Sequence, residues 1–168
     1  MGRMVRSGKS LGKVTDPEFR SRLMARIRQQ GTRPEMIVRR ILTALGYRYR
    51  LNRRDLPGSP DIAFQGRRKV LFVHGCFWHS HSGCRFATVP KTRTEYWTEK
   101  LASNRRRDAR VEQALRDAGW QVAVVWECET KFPVELAGRL DLFLTSGVDE
   151  PGEPDENPES KSAEHQVE

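Results

Sequence analysis

The sequence predicts an α/β chain in which helices flank a mixed sheet. Three observations carry this. Short β-branched or alternating runs, of strand length, stand at Tyr47–Leu51, Asp61–Phe64, Lys69–Val73 and Trp120–Trp126. Apolar stripes at helical spacing lie before, between and after them. Gly and Pro punctuate the boundaries. The order is helix, strand, strand, strand, helix, strand, helix, without an internal repeat.

Taken in order, residues 1–18 are basic and Gly/Ser-rich and read as a flexible N-terminus. The folded domain is expected over residues 19–145. Phe19–Arg28 reads as a short helix with Leu23, Met24 and Ile27 on one side. Thr32, Pro34 and Glu35 combine the signals of a helix start, with Thr32 as cap and Glu35 completing a capping box. Ile37, Val38, Ile41, Leu42 and Leu45 form its apolar stripe, and Gly46 ends it. Leu56–Pro60 is a turn. The strands Asp61–Phe64 and Lys69–Val73 fold back on each other about Gly66, so Asp61 must lie opposite Phe72 or Val73, beside His74. A helix opens with Thr94 as its cap and Glu95 in its first turn and continues through Asn104–Ala118, with Val111, Ala114, Leu115 and Ala118 inward and Gly119 as its stop. A last helix is expected at Phe132–Thr145. Residues 146–168 read as an acidic, disordered tail.

The chain of 168 residues carries a net charge of +8, but the tail from Asp149 contributes −7, so the remainder carries +15. A body this basic expects a polyanion, most simply nucleic acid. No run of about 18 apolar residues is present, which excludes a membrane span, and the basic N-terminus has no apolar segment of the kind a secretory signal needs. Three cysteines argue against a disulfide framework and for a reducing, cytoplasmic compartment.

The densest chemistry follows the strand Lys69–Val73. His74, Cys76, His79, His81 and Cys84 crowd into eleven positions, and Cys128 follows Trp126 and Glu127 near the end of another apolar run. Tetrahedral zinc takes four such nitrogen and sulfur donors. Cys76, His81 and Cys84 with Cys128 supply them, and the spacing also allows His79 in place of His81. Asp61, beside the histidine-rich strand end, suits a hard cation such as Mg²⁺. A histidine there can take a proton from water, and spacing leaves open whether His74 or His79 does so. Glu35 is sufficiently explained as a cap, yet it can also reach the Asp61 end of the sheet. Phe77, Trp78 and Trp97 are large aromatics in a polar setting, able to enter a base stack as wedges, with Met24 doing the same from the other groove. Trp120 and Trp126 read as core.

Four blocks now agree in order with one family. Asp55-Leu56-Pro57-Gly58-Ser59-Pro60-Asp61, Val73–His79, Pro90–Trp97 and Val125–Cys128 resemble the very-short-patch-repair (Vsr) mismatch endonucleases. The resemblance implies a restriction-endonuclease-like (PD-(D/E)xK-type) fold and a monomer that nicks one strand of duplex DNA 5′ to the T of a T:G mismatch, the product of 5-methylcytosine deamination. It implies Mg²⁺ as catalytic cofactor on Asp61 and the carbonyl of Val73, where many members carry Thr. His79 would be the general base, His74 would lie at the scissile phosphate, and Glu35 would be an acid of the catalytic site. Zn²⁺ would be structural on Cys76, His81, Cys84 and Cys128, and Phe77, Trp78, Trp97 and Met24 would contact DNA. The family setting is the bacterial cytoplasm and nucleoid, with other mismatch-repair proteins as further partners. Two rival readings of the residues are a non-catalytic zinc module that binds nucleic acid and a restriction endonuclease that cuts matched DNA.

Overall fold

A computed structural model of the protein describes residues 31–147. The expected helix at Phe19–Arg28, with Met24, lies outside the described residues, as do the basic N-terminus and all but the first residues of the acidic tail. The elements are α1 (Arg33–Ala44), β1 (Arg50–Leu51), β2 (Ile62–Phe64), β3 (Lys69–His74), α2 (Thr94–Asp117), β4 (Gln121–Trp126) and α3 (Pro133–Thr145). The sheet order is β1-β2-β3-β4. β2 pairs antiparallel with β1 and β3, whereas β4 runs parallel to β3. The parallel pair is possible because α2 lies between its strands in the chain and provides the long return that parallel pairing needs. No described helix is long and apolar enough to cross a membrane.

Strand periodicity sorts the core into two layers. Ile62, Phe64, Leu71 and Val125 face Val38 and Leu42 of α1 and Leu136, Leu140 and Leu144 of α3. The alternate residues Ala63, Val70 and Phe72 face Leu115 of α2 and Trp120. Helices therefore cover both faces, and β2 and β3 are buried almost throughout.

α1 starts as its sequence predicts. The Thr32 hydroxyl oxygen accepts from the Glu35 N–H at 3.4 Å. The reciprocal bond is displaced by one residue, because Glu35 accepts from the N–H of Gly31 at 2.7 Å and from the Thr32 hydroxyl at 2.9 Å. At its end Gly46 N–H bonds Thr43 O and Tyr47 N–H bonds Leu42 O, with Gly46 at φ +82°. That left-handed turn is cheap only for glycine.

Three expectations are corrected. The strand Tyr47–Leu51 shrinks to two residues, because β2 ends at Phe64, where a 3-10 turn begins, and leaves Tyr47 and Arg48 no strand partner; Tyr47 and Tyr49 instead set their rings against Phe64 at 6.1 Å. α2 is capped by Arg93, in left-handed backbone at φ 54°, and not by Thr94, whose hydroxyl donates back to the carbonyls of Pro90 and Lys91. The inward stripe of α2 is Leu101, Asn104 and Leu115, with Val111 half-buried, while Ala114 and Ala118 are exposed.

Two contacts position the site. Gly58 presses on α2 so closely that a Cβ there would overlap the Val111 side chain. The turn leading into Asp61 is thereby fixed against the helix that carries Asp108. At the far end of the sheet, buried Lys69 donates to the carbonyls of Phe143, Leu144 and Ser146 and so caps the C-terminus of α3, where a cation is favoured.

Candidate active site and metal cluster

Ile62 pairs with Leu71, which sets Asp61 opposite Phe72, as the hairpin argument requires. Asp61 Oδ2 accepts the N–H of Val73 at 2.7 Å. In an extended strand the N–H and C=O of one residue point the same way, so the Val73 carbonyl also faces the Asp61 side, beyond the last β2–β3 pair. Burial pushes the Asp61 carboxyl up to about 6; the Val73 N–H opposes this, nearby Glu35 adds to it, and Arg39 opposes it. Glu35 is itself buried. Two acids thus share one partly desolvated mouth, an arrangement that a bound cation would relieve.

His74 closes β3 and is buried beside this mouth. His79 stacks on it, with ring centroids 3.7 Å apart and planes 8° from parallel. Loop and helix combine to hold His79. Its own N–H bonds Gly75 O, and its Nδ1 donates to Asp108 Oδ2 of α2 at 2.6 Å. The carboxylate fixes the tautomer, leaving Nε2 with its lone pair. Burial, and then the neighbouring His79, hold the His74 imidazole well below its usual range, so His74 is neutral at physiological pH. Asn104, one turn before Asp108, donates from its buried amide to Trp78 O at 2.9 Å and pins the loop to the helix. A cleft of about 900 Å³ is lined by Glu35, Asp61, Val73, His74, His79 and Asp108 together, and Trp78 and Arg107 also line it.

The other half of the loop forms a separate cluster. Donor atoms of Cys76, His81, Cys84 and Cys128 all lie within 4.8 Å of one another. His81 Nδ1 is 3.7 Å from Cys76 Sγ and 3.4 Å from Cys128 Sγ. A tetrahedral site with ordinary zinc bond lengths has sulfur–nitrogen edges of about 3.6 Å, so the donor set fits a metal of that kind. The loop is a chain of tight turns, His81 N–H to Cys76 O and Cys84 N–H to His81 O, with Gly83 at φ +69°. Burial pushes the Cys76 thiol up, whereas the Phe86 N–H draws the Cys84 thiol down. Placement separates the two histidines: His81 lies with the cysteines and His79 with Asp108.

Phe77, Trp78 and Trp97 form one half-buried cluster, with centroids 5.1 Å apart for Phe77–Trp78, 5.4 Å for Phe77–Trp97 and 6.0 Å for Trp78–Trp97. The neighbouring Phe77 and Trp78 side chains meet each other edge-on, so adjacency in sequence did not send them to opposite sides. Trp126 is not the core residue expected. It is half-buried, and its ring lies flat on His81 at 4.1 Å.

Sequence reasoning passed over Asp108 and Asn104. A signal existed: Leu101, Asn104, Asp108, Val111 and Leu115 follow the 3-4 spacing of one helix face, and a polar pair on an otherwise apolar stripe marks a buried hydrogen-bonding role. The surrounding run of arginines hid it.

A basic α/β chain that gathers a desolvated carboxylate pair and a carboxylate-held histidine in one cleft has the make-up of a nucleic-acid hydrolase. Residues 12–85 match the family profile described as DNA mismatch endonuclease Vsr. The chain is 56% identical to the type II nicking enzyme V.XorIIP of Xanthomonas oryzae pv. oryzae over 128 residues, 76% of this chain and 93% of that protein. It is 44% identical to the type II nicking enzyme V.NmeAIP of Neisseria meningitidis over 74% of this chain and 89% of that protein. Against the DNA mismatch endonuclease Vsr of Escherichia coli the identity is 42% over 82% of this chain and 85% of that one. The chain belongs to the Vsr family of DNA mismatch endonucleases, and its reaction class is DNA phosphodiester hydrolysis.

Proposed function

We propose that the protein, acting as a monomer, nicks one strand of duplex DNA 5′ to the T of a T:G mismatch and so starts very short patch repair. The observation that carries this reading is the convergence of Asp61, His74 and the His79–Asp108 pair in one cleft whose lining includes Trp78 of the aromatic cluster. The folded unit over residues 19–145 would be the endonuclease domain.

Asp61 and the Val73 carbonyl would hold Mg²⁺, which suits their hard oxygen donors and supplies charge neutralisation at a phosphate. His79 accepts the proton of the attacking water at Nε2, and Asp108 stabilises the imidazolium that forms. His74, neutral, offers an N–H to the scissile phosphate. Glu35 serves twice, as the partner of the Thr32 cap at the start of α1 and as the second acid of the mouth. Cys76, His81, Cys84 and Cys128 would hold Zn²⁺ as a structural cross-link between loop and sheet. Nicking of a T:G duplex with Mg²⁺, and none with EDTA, is the expected assay result; binding without nicking under both conditions would leave a non-catalytic zinc module.

His79→Ala is expected to slow single-turnover nicking by about 10²–10⁴-fold with zinc content unchanged. His81→Ala is expected to lose zinc as well. If His81→Ala stopped the chemistry and spared the metal, the two histidines would have to exchange roles.

Selectivity is assigned to Phe77, Trp78 and Trp97, with Met24 opposite. A T:G wobble pair stacks less well than a Watson–Crick pair, so wedging rings beside it costs less unstacking. Trp78→Ala should therefore weaken binding to T:G duplex far more than to matched duplex, by about 1–3 kcal/mol for the lost stack. Paired titrations at one salt concentration check this; an equal loss on both duplexes would place recognition elsewhere.

A further inference from the structure

We infer that Trp126 is a positioning residue that transmits the geometry of the Cys/His metal cluster to the histidine pair of the cleft, an inference that rests on the nuclease reading above. Four rings follow one another without a gap. His81 and Trp126 are stacked at 4.1 Å with planes 1° apart. Trp126 meets His74 edge-on at 5.6 Å. His74 stacks on His79 at 3.7 Å, and His79 is hydrogen-bonded to Asp108 at 2.6 Å. The row therefore begins at a ligand of the cluster and ends at the carboxylate that orients His79.

The backbone supports the same link. His74 and Trp126 are register partners on the parallel strands β3 and β4, so their side chains leave the sheet side by side. Trp126 N–H donates to Glu129 Oε2 at 2.6 Å, and that carboxylate pairs with Arg139 of α3 at 3.0 Å. Cys128, a member of the cluster, belongs to the same short 3-10 turn as Glu129. The indole is thus held at its root by the segment that supplies one sulfur, and at its face by the ring that supplies the nitrogen.

An aliphatic side chain would fill the volume but would not hold His81 parallel or present an edge to His74. An imidazole bound to a metal cation is electron-poor, and the face of an indole is the surface that best receives it. The stack is therefore tightest with metal bound, and a change at the metal moves the indole against His74.

The test compares Zn²⁺-loaded and Cd²⁺-loaded protein, because Cd²⁺ enlarges the cluster without removing it. With histidine-labelled protein, the ring signals of His74 and His79 are expected to differ between the two metals in the wild type and to coincide in Trp126→Leu. In parallel, Trp126→Leu is expected to nick a T:G duplex about 10–100-fold more slowly, with zinc content and duplex affinity unchanged, and Trp126→Phe to recover most of that loss. The inference is overturned if the His74 and His79 signals are the same with both metals in the wild type, or if Trp126→Leu nicks at the wild-type rate. Signals that still differ between the two metals in Trp126→Leu also overturn it. Should that variant fail to fold, Trp126→Met, which likewise lacks a ring, takes its place in both measurements with the same expected and overturning results. A wild-type protein that shifts these signals yet never nicks a T:G duplex supports the coupling and refutes the nuclease reading.

Discussion

Asp61→Asn is expected to abolish detectable nicking while leaving duplex binding intact or tighter. The carboxylate stands just before β2, against the Val73 N–H. Its loss would remove the proposed anchor of Mg²⁺, a cation that supplies several kcal/mol of transition-state stabilisation, or about 10³-fold and more in rate. Binding survives because the variant also removes negative charge from the path of the phosphates. The same substitution carries a stability signature. The Asp61 carboxyl sits at about 6 in the folded protein against an ordinary 3.8, chiefly through burial. A carboxyl raised by folding favours the native state below its unfolded pKa, and that advantage is lost as pH rises through about 6. Without divalent cation, Asp61→Asn should therefore be more stable than wild type above that pH, by about 1–3 kcal/mol, with the difference closing toward pH 4. Thermal unfolding with EDTA at a series of pH values measures it. Wild-type nicking by the variant would remove Asp61 from the site.

Cys128→Ser is expected to lose bound zinc and folding stability together. The cluster joins the loop after β3 to the segment after β4, so a metal held there would cross-link positions 76 and 128. In structural sites of this type the free energy of metal binding is free energy of folding, on the order of 10 kcal/mol for small zinc modules. This domain also has two apolar cores, so partial structure should remain around Val38, Leu71 and Leu140 while the loop carrying His79 loosens. Elemental analysis and denaturant titration of one preparation test both halves. A zinc-free wild-type protein that is fully folded and active would contradict the structural role.

The parts of the site that local chain geometry dictates were legible in the sequence. Asp61 could be placed opposite Phe72 because a hairpin mirrors about its turn, and the start of α1 announced itself through Thr32, Pro34 and Glu35. The cysteines Cys76, Cys84 and Cys128 could be grouped with either His79 or His81, because tetrahedral coordination restricts spacing. What failed to show depended on packing between distant elements. His79 and His81 differ by two positions, and only Asp108, 29 residues on, draws one of them away from the cysteines. The inward face of α2 was misjudged in part because Ala114 and Ala118 looked apolar enough, although polar Asn104 is buried there with Leu101 and Leu115. Trp126 had every mark of a core strand residue, and its contact with His81 arises from a loop that returns over the sheet.

Whether this cleft hydrolyses one strand at a T:G mismatch is tested by a single-turnover assay with Mg²⁺ on two duplexes of identical flanking sequence, one with a T:G pair and one with C:G, each strand carrying its own end label. One new strand end is expected, immediately 5′ to the mismatched T, with the G-bearing strand and the matched duplex intact. Cleavage of both strands, or equal cleavage of the matched duplex, would contradict it.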